Sequence, residues 1–211
     1  MARVGAWLAL AWFSWLLLRI TLQYWPLNND VAFLRIKQDY LAIVPWKIAF
    51  FVHVFTSMFA LLAGFTQFSK TILTRCRVLH RTMGKLYLGN VLFVTGPASL
   101  VMSFFANGGW TSRVGFVALA VLWLGTTWRG YQAVRARNFT PHREWMIRSY
   151  ALTLAAVTLR TWKYALVALF EPPPMDVYRL VAWLGWTVNL ACAEWWIRRT
   201  RSSPRNDRPV A

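Results

Sequence analysis

Residues 46–68 read WKIAFFVHVFTSMFALLAGFTQF, an apolar run whose single formal charge, Lys47, stands at its start. A helix needs about 20 mostly apolar residues to cross the ~30 Å hydrocarbon core of a bilayer. Apolar side chains here fall on every face of such a helix rather than on one stripe, as burial in lipid or protein on all sides requires. Pro45 stands just before the run, where a helix tolerates proline best.

Working outward, five more blocks share this character: residues 4–25 before it, and 83–106, 114–134, 145–170 and 177–197 after it. Pro26 is expected to stop the first helix, Asn107-Gly108-Gly109 to turn the chain after the third, and Pro172-Pro173-Pro174 to interrupt it before the sixth. Residues 27–45 form the longest connection, in which Phe33, Ile36, Tyr40 and Val44 keep helical spacing. Part of it reads as a surface-lying amphipathic helix or as plain loop. The expected fold class is therefore an all-α integral membrane protein, six transmembrane helices in one bundle over residues 1–197. Residues 198–211 form a basic tail expected to be disordered.

Composition agrees. Of 211 residues, 57% are hydrophobic and 15% charged, against about 25% charged in a soluble domain. Fourteen tryptophans, Trp25, Trp46, Trp110, Trp145 and Trp196 among them, suit a protein with two membrane–water interfaces to anchor. The first block follows Arg3 but lacks a small-residue cleavage site, so it reads as a retained span rather than a cleaved signal. Cys76 and Cys192 have no partners at metal or disulfide-framework spacing.

The net charge of +17 is unevenly spread. Sixteen Lys and Arg fall at the N-terminus, in the connections around 70–85 and 129–148, and after residue 197. Only Arg35, Lys37, Lys47, Arg113 and Arg179 fall on the other side, with Asp30, Asp39, Glu171 and Asp176. Basic loops stay in the cytoplasm, so the orientation is N-in/C-in. The same placement assigns the positive charge to topology and to anionic lipid headgroups on the cytoplasmic side, not to nucleic acid.

Histidine is scarce, and its placement is informative. His80 opens the third helix and His142 the fifth, at the same depth, each followed directly by arginine, Arg81 and Arg143. Two imidazoles on helices of one direction can supply both axial ligands of a b-type haem, with the arginines neutralising its propionates. The plainer reading is that both histidines cap helix starts or bond within loops. His53 lies ~10 Å below the outer end of the second helix, too far away to join them.

Arg160 and Lys163 interrupt the outer half of the fifth helix. A charge at depth costs about 2.5–3.5 kcal/mol on insertion scales and therefore faces a partner or a wet cavity. Lys163 can snorkel outward. For Arg160, Asp176 or Asp39 is the expected partner. Glu194, in the sixth helix five residues after Asn189, reads either as a salt bridge to Arg81, Arg143 or Arg148, or as a proton-carrying carboxyl. Glycine-rich phosphate loops, paired carboxylates, His-Glu-x-x-His and a serine nucleophile elbow are absent, which removes support for hydrolase and ATPase chemistry.

Three stretches carry a resemblance: ALLAGFTQF (60–68) with His53 before it, LHRTMGKLY (79–87), and HREWMIRSYAL (142–152) leading to Thr158-Leu159-Arg160. With Asn189-Leu190 and Ala193-Glu194-Trp195 they resemble the prokaryotic membrane family catalogued as domain of unknown function 2306. The resemblance implies a multi-pass protein of the bacterial inner membrane and carries no activity with it. A looser similarity to transmembrane cytochromes b allows one bis-histidine haem at most, because His53 has no second histidine at its depth. Three functional readings follow. The first is a redox-type protein with haem at His80 and His142, and with Glu194 as a proton or quinone contact. The second is a small-solute or proton-coupled transporter using Arg160 and Glu194. The third is a structural or assembly subunit whose polar groups serve packing.

Overall fold

The computed structural model describes residues 2–202. Among these the chain is all-helical: α1 (Ala2–Leu22), α2 (Val44–Gln67), α3 (Lys70–Arg75), α4 (Arg77–Asn90), α5 (Gly96–Ser103), α6 (Trp110–Arg135), α7 (Phe139–Thr153), α8 (Ala155–Phe170) and α9 (Pro174–Ser202). Three of the helical runs are long and apolar enough to cross a membrane: Val44–Gln67, Arg77–Ser103 and Phe139–Phe170. The apolar part of α1, Trp7–Leu22, is shorter. In α6 and α9 the arginines near both ends and the interspersed Thr and Gly dilute the apolar run.

The second run is not one regular helix. Residues 91–95 between α4 and α5 form a π turn, in which the Gly96 N–H donates to the Val91 carbonyl. Pro97 follows. Its ring lacks an N–H and would press on the carbonyl four residues back, and one wide turn relieves that clash. The third run is interrupted by a turn at Leu154, between α7 and α8, where the Val157 N–H donates to the Leu154 carbonyl.

Helix ends follow local chemistry. Pro45 occupies the first turn of α2. The Ser69 side chain accepts from the Ile72 N–H at the start of α3. Gly108 and Gly109 take φ of 82° and 78° before α6, a region that disfavours other residues. Glu171 adopts a left-handed conformation that ends α8, and Pro174 then opens α9. The connection before α2 contains a 3-10 helix, Ala32–Tyr40, that buries Leu34 and Lys37. The last helix runs five residues past the expected boundary at 197, to Ser202, because Arg201 folds back onto Glu144 of α7. The rest of the tail, 203–211, lies outside the described residues.

Helices α2, α4, α5, α6, α7 and α9 form the body, with α6 against α7 and α8 against α9 as the most extensive pairings. The α1 helix packs chiefly on α2. The main core joins Ala60, Ala63, Tyr87, Val91, Trp123, Tyr150, Leu152, Ala155 and Trp186. A second, aromatic cluster of Tyr24, Trp46, Phe50 and Phe51 lies under the 3-10 helix around Leu34. Small residues permit the closest approaches: a Cβ on Gly64 would stand 1.9 Å from the Tyr150 hydroxyl, and one on Gly185 would stand 2.9 Å from the Leu159 Cβ.

Candidate functional site

One end of the bundle carries the α2–α4 and α6–α7 connections and the end of α9; it is the basic end. Here Arg148 of α7 forms a two-pronged ion pair with Glu194 of α9, with Nη2 2.9 Å from Oε2 and Nε bonded to Oε1. The guanidinium also lies 4.6 Å from the Trp145 ring centre. Of the three arginines expected for Glu194, Arg148 is the one that pairs with it. Beside it Arg201 pairs with Glu144, a buried carboxylate that the sequence reading did not single out. Two carboxylates are thus tied between α7 and α9, which suits a fastening better than a proton relay.

The two histidines of the expected haem pair make different contacts. The His142 Nδ1 is 2.8 Å from the Gly130 carbonyl at the end of α6. The His80 Nδ1 is buried with no hydrogen-bond partner, while its backbone carbonyl accepts from Gln67 Nε2 at 3.0 Å. Arg81 and Arg143 are exposed. Among the described residues no group of three or more His, Cys, Asp or Glu is gathered for a metal ion.

Midway along the bundle the polar side chains satisfy one another. The Tyr87 hydroxyl is 2.6 Å from Ser149 Oγ and 2.9 Å from Thr153 Oγ1. Trp123 Nε1 donates to Thr153 at 3.0 Å, and Thr127 Oγ1 is 2.7 Å from Ser149 Oγ. Asn189 Nδ2 donates to the Ala151 carbonyl at 3.1 Å and to Thr158 Oγ1 at 2.9 Å, joining α9 to α7 and α8. These groups act as packing glue. Tyr87, Ser149 and Thr127 went unread in the sequence because a hydroxyl inside an apolar run carries no spacing signal.

The other half of the bundle holds a different arrangement. His53 of α2 sets Nδ1 3.3 Å from both the carbonyl and the Oγ1 of Thr95, in the π turn. Arg160 of α8 finds neither expected acid. Asp176 is taken by Arg179 at 2.9 Å, because the two are a helix turn apart on α9. Among the described residues no carboxylate pairs with Arg160, and its Nη1 instead donates to the Ala156 carbonyl at 2.5 Å. The titratable side chains nearest it in charge are Tyr24, Tyr164 and His53. The guanidinium borders a cavity of about 410 Å³ between α1 and α8, to which Phe13, Arg19, Gln23, Thr161 and Tyr164 also contribute. Cavities of this size fall within the ~300–1,000 Å³ of small-molecule sites.

Beyond the membrane-length helices, Lys37 is a second buried cation, 1% exposed, that the sequence reading placed only as a loop charge. Its Nζ donates to the Phe105 carbonyl and lies 4.2 Å from the Tyr40 ring centre.

No curated protein and no solved structure shows significant similarity to the chain. The family described as "Predicted membrane protein (DUF2306)" matches residues 50–197, a stretch that takes in His53, His80, His142, Arg148, Arg160, Asn189 and Glu194. The match spans well over half of the sequence, from the first turns of α2 to the last turns of α9, and the chain belongs to this family of membrane proteins.

Proposed function

We propose that the chain crosses the bacterial inner membrane six times, N-in/C-in, and binds an anionic molecule at Arg160 in the half of the bilayer facing away from the cytoplasm. The observation that carries this reading is the Arg160 guanidinium at the wall of a 410 Å³ cavity without a carboxylate to neutralise it. A buried cation without a counter-charge is costly to keep in a membrane, and a bound anion supplies what the fold leaves out. Glu194 has an arginine of its own, so the solute-binding half of the transport reading gains support while the proton-carrying half loses its carboxyl.

Hexyl phosphate is a suitable probe, with hexanol as the neutral control. At ten times its Kd, a ligand of the folded state adds about 1.4 kcal/mol, a Tm rise of about 3–5 °C for a chain of this size. The expected outcome is that rise for the purified protein and none for Arg160→Leu. An equal response in both proteins, or an equal response to hexanol, overturns the assignment.

A second reading is one b-type haem on the cytoplasmic side, with His80 and His142 as ligands and Arg81 and Arg143 against the propionates. Two observations favour it. The bond from His142 Nδ1 to Gly130 leaves Nε2 as the free ligating nitrogen, and the His80 imidazole has a buried nitrogen without a partner. Protein purified from cells supplied with haem precursor is expected to show a Soret peak and sharp reduced α and β bands, lost in His80→Ala and in His142→Ala. A colourless, folded protein ends this reading. A quinone contact at Glu194 would have to displace Arg148 and is the weaker part of it.

A further inference from the structure

The Arg160 cavity does not end at α8. A second cavity of about 390 Å³ continues it toward the basic end, sharing Phe13 and Val157 as common walls. Its own lining is apolar apart from hydroxyls, with Trp7, Leu10, Phe68 and Leu154 forming most of it. The Tyr150 hydroxyl at its edge is spent on the Leu61 carbonyl at 2.8 Å. Gly64 completes one wall, and any side chain there would collide with Tyr150.

Together the two cavities make one groove along α1, from Gln23 at one end to Trp7 at the other. At 1.5 Å per residue α1 rises ~22 Å from Trp7 to Leu22, just short of Gln23, most of the ~30 Å depth of a hydrocarbon core. The groove is strongly asymmetric. Arg160 lines the Gln23 end beside Arg19, whose guanidinium lies 5.0 Å from the Trp15 ring centre at the rim; no acidic residue lines that end, whereas the Trp7 end holds no charge.

From this asymmetry we infer that the occupant is a single membrane lipid. Its phosphate-bearing head lies against Arg160 and Arg19, and one hydrocarbon chain extends along α1 toward Trp7. The inference rests on the anion-binding reading of Arg160 and names its ligand class. A small water-soluble anion answers the cations and leaves the long apolar half without an occupant of its own. A neutral lipid fills the apolar half and leaves Arg160 uncompensated. A lipid with an anionic head satisfies both ends, and it reaches the groove sideways from the bilayer, between α1 and α8.

The test is native mass spectrometry of the full chain in detergent, titrated with phosphatidylglycerol and, separately, with phosphatidylcholine of the same chains. Wild type is expected to hold one phosphatidylglycerol at least tenfold more tightly than phosphatidylcholine, and Arg160→Gln to lose that preference. Ala9 is an exposed residue of α1 that lines only the apolar half. Ala9→Trp is expected to weaken phosphatidylglycerol about tenfold while leaving stabilisation by hexyl phosphate unchanged. Ala191→Trp, at an exposed site on α9, serves as a control for an added indole and is expected to match wild type.

Equal retention of both lipids means that the groove holds bulk lipid, which overturns the inference. If hexyl phosphate stabilises through Arg160 but phosphatidylglycerol ignores both Arg160→Gln and Ala9→Trp, the ligand is a free anion. The inference then falls, and the anion-binding reading stands. If neither probe depends on Arg160, both fall together.

Discussion

Among the buried cations, chemistry sorts residues of similar charge into different roles. Arg148 meets Glu194 across a helix interface and is neutralised there, whereas Arg160 donates to the Ala156 carbonyl of its own helix. Lys37 is a third case. Burial beneath the 3-10 helix pulls its pKa down from 10.5 to about 8, and the positive charge of Arg113 adds to the effect. Its folded-state pKa lies below its unfolded value, so between about pH 8 and pH 10.5 the unfolded chain binds more protons than the folded one. Stability should therefore rise with pH across that window, because the cost of burying the charge disappears as the lysine becomes neutral in both states. Lys37→Met, similar in length and unable to ionise, is expected to flatten this rise. Thermal unfolding of both proteins at a series of pH values from 7 to 11 and constant ionic strength measures it. An unchanged slope in the variant would mean that Lys37 keeps its charge in the folded protein, held by the Phe105 carbonyl and the Tyr40 ring.

The helices themselves were largely legible in the sequence, since length and all-round apolarity depend on no partner. The run read at 46–68 is helix from Val44 to Gln67, and the run read at 145–170 lies within Phe139–Phe170. What escaped is what depends on neighbours. The π turn at 91–95 follows from Pro97 pressing into a packed helix, and a proline inside an apolar block does not say whether the chain will kink, widen or stop. The connection before α2 kept helical spacing, yet it folds as a 3-10 segment with an inward lysine, because Tyr40, Phe33 and the Phe105 carbonyl provide a lining for the ammonium. At the site, Arg160 and Glu194 stood out as charges in apolar runs. Arg148 was among the partners expected for Glu194, but the surroundings of Arg160 were not legible, because helix rotation decides whether Asp176 faces α8 or its own Arg179, and one sequence carries no signal for rotation.

Across the described residues most Lys and Arg gather at one end, which holds the α2–α4 and α6–α7 connections and the last turn of α9. In the proposed topology that end faces the cytoplasm, as the positive-inside rule would have it. Cys76, exposed between α3 and α4, makes a native reporter, and Cys192 is an exposed thiol on an apolar stretch of α9. In intact right-side-out vesicles of wild type, a membrane-impermeant maleimide is expected to leave Cys76 unlabelled and to label it after permeabilisation. Asn107→Cys, at the opposite end before α6, is expected to react in both conditions. The reverse pattern inverts the topology and moves the Arg160 groove to the cytoplasmic half.

The groove is divided between two parts of the chain. Arg160 and Val157 come from within the family-matched stretch of 50–197, while Phe13, Leu16 and Arg19 come from α1, which precedes it. The α1 helix leans chiefly on α2, and Leu10, Phe13 and Leu17 also pack beside Val157 of α8. Substitutions in the α1 wall are therefore expected to retune which tail the groove accepts while the cation across from it stays in place, so the groove can be recut from one side.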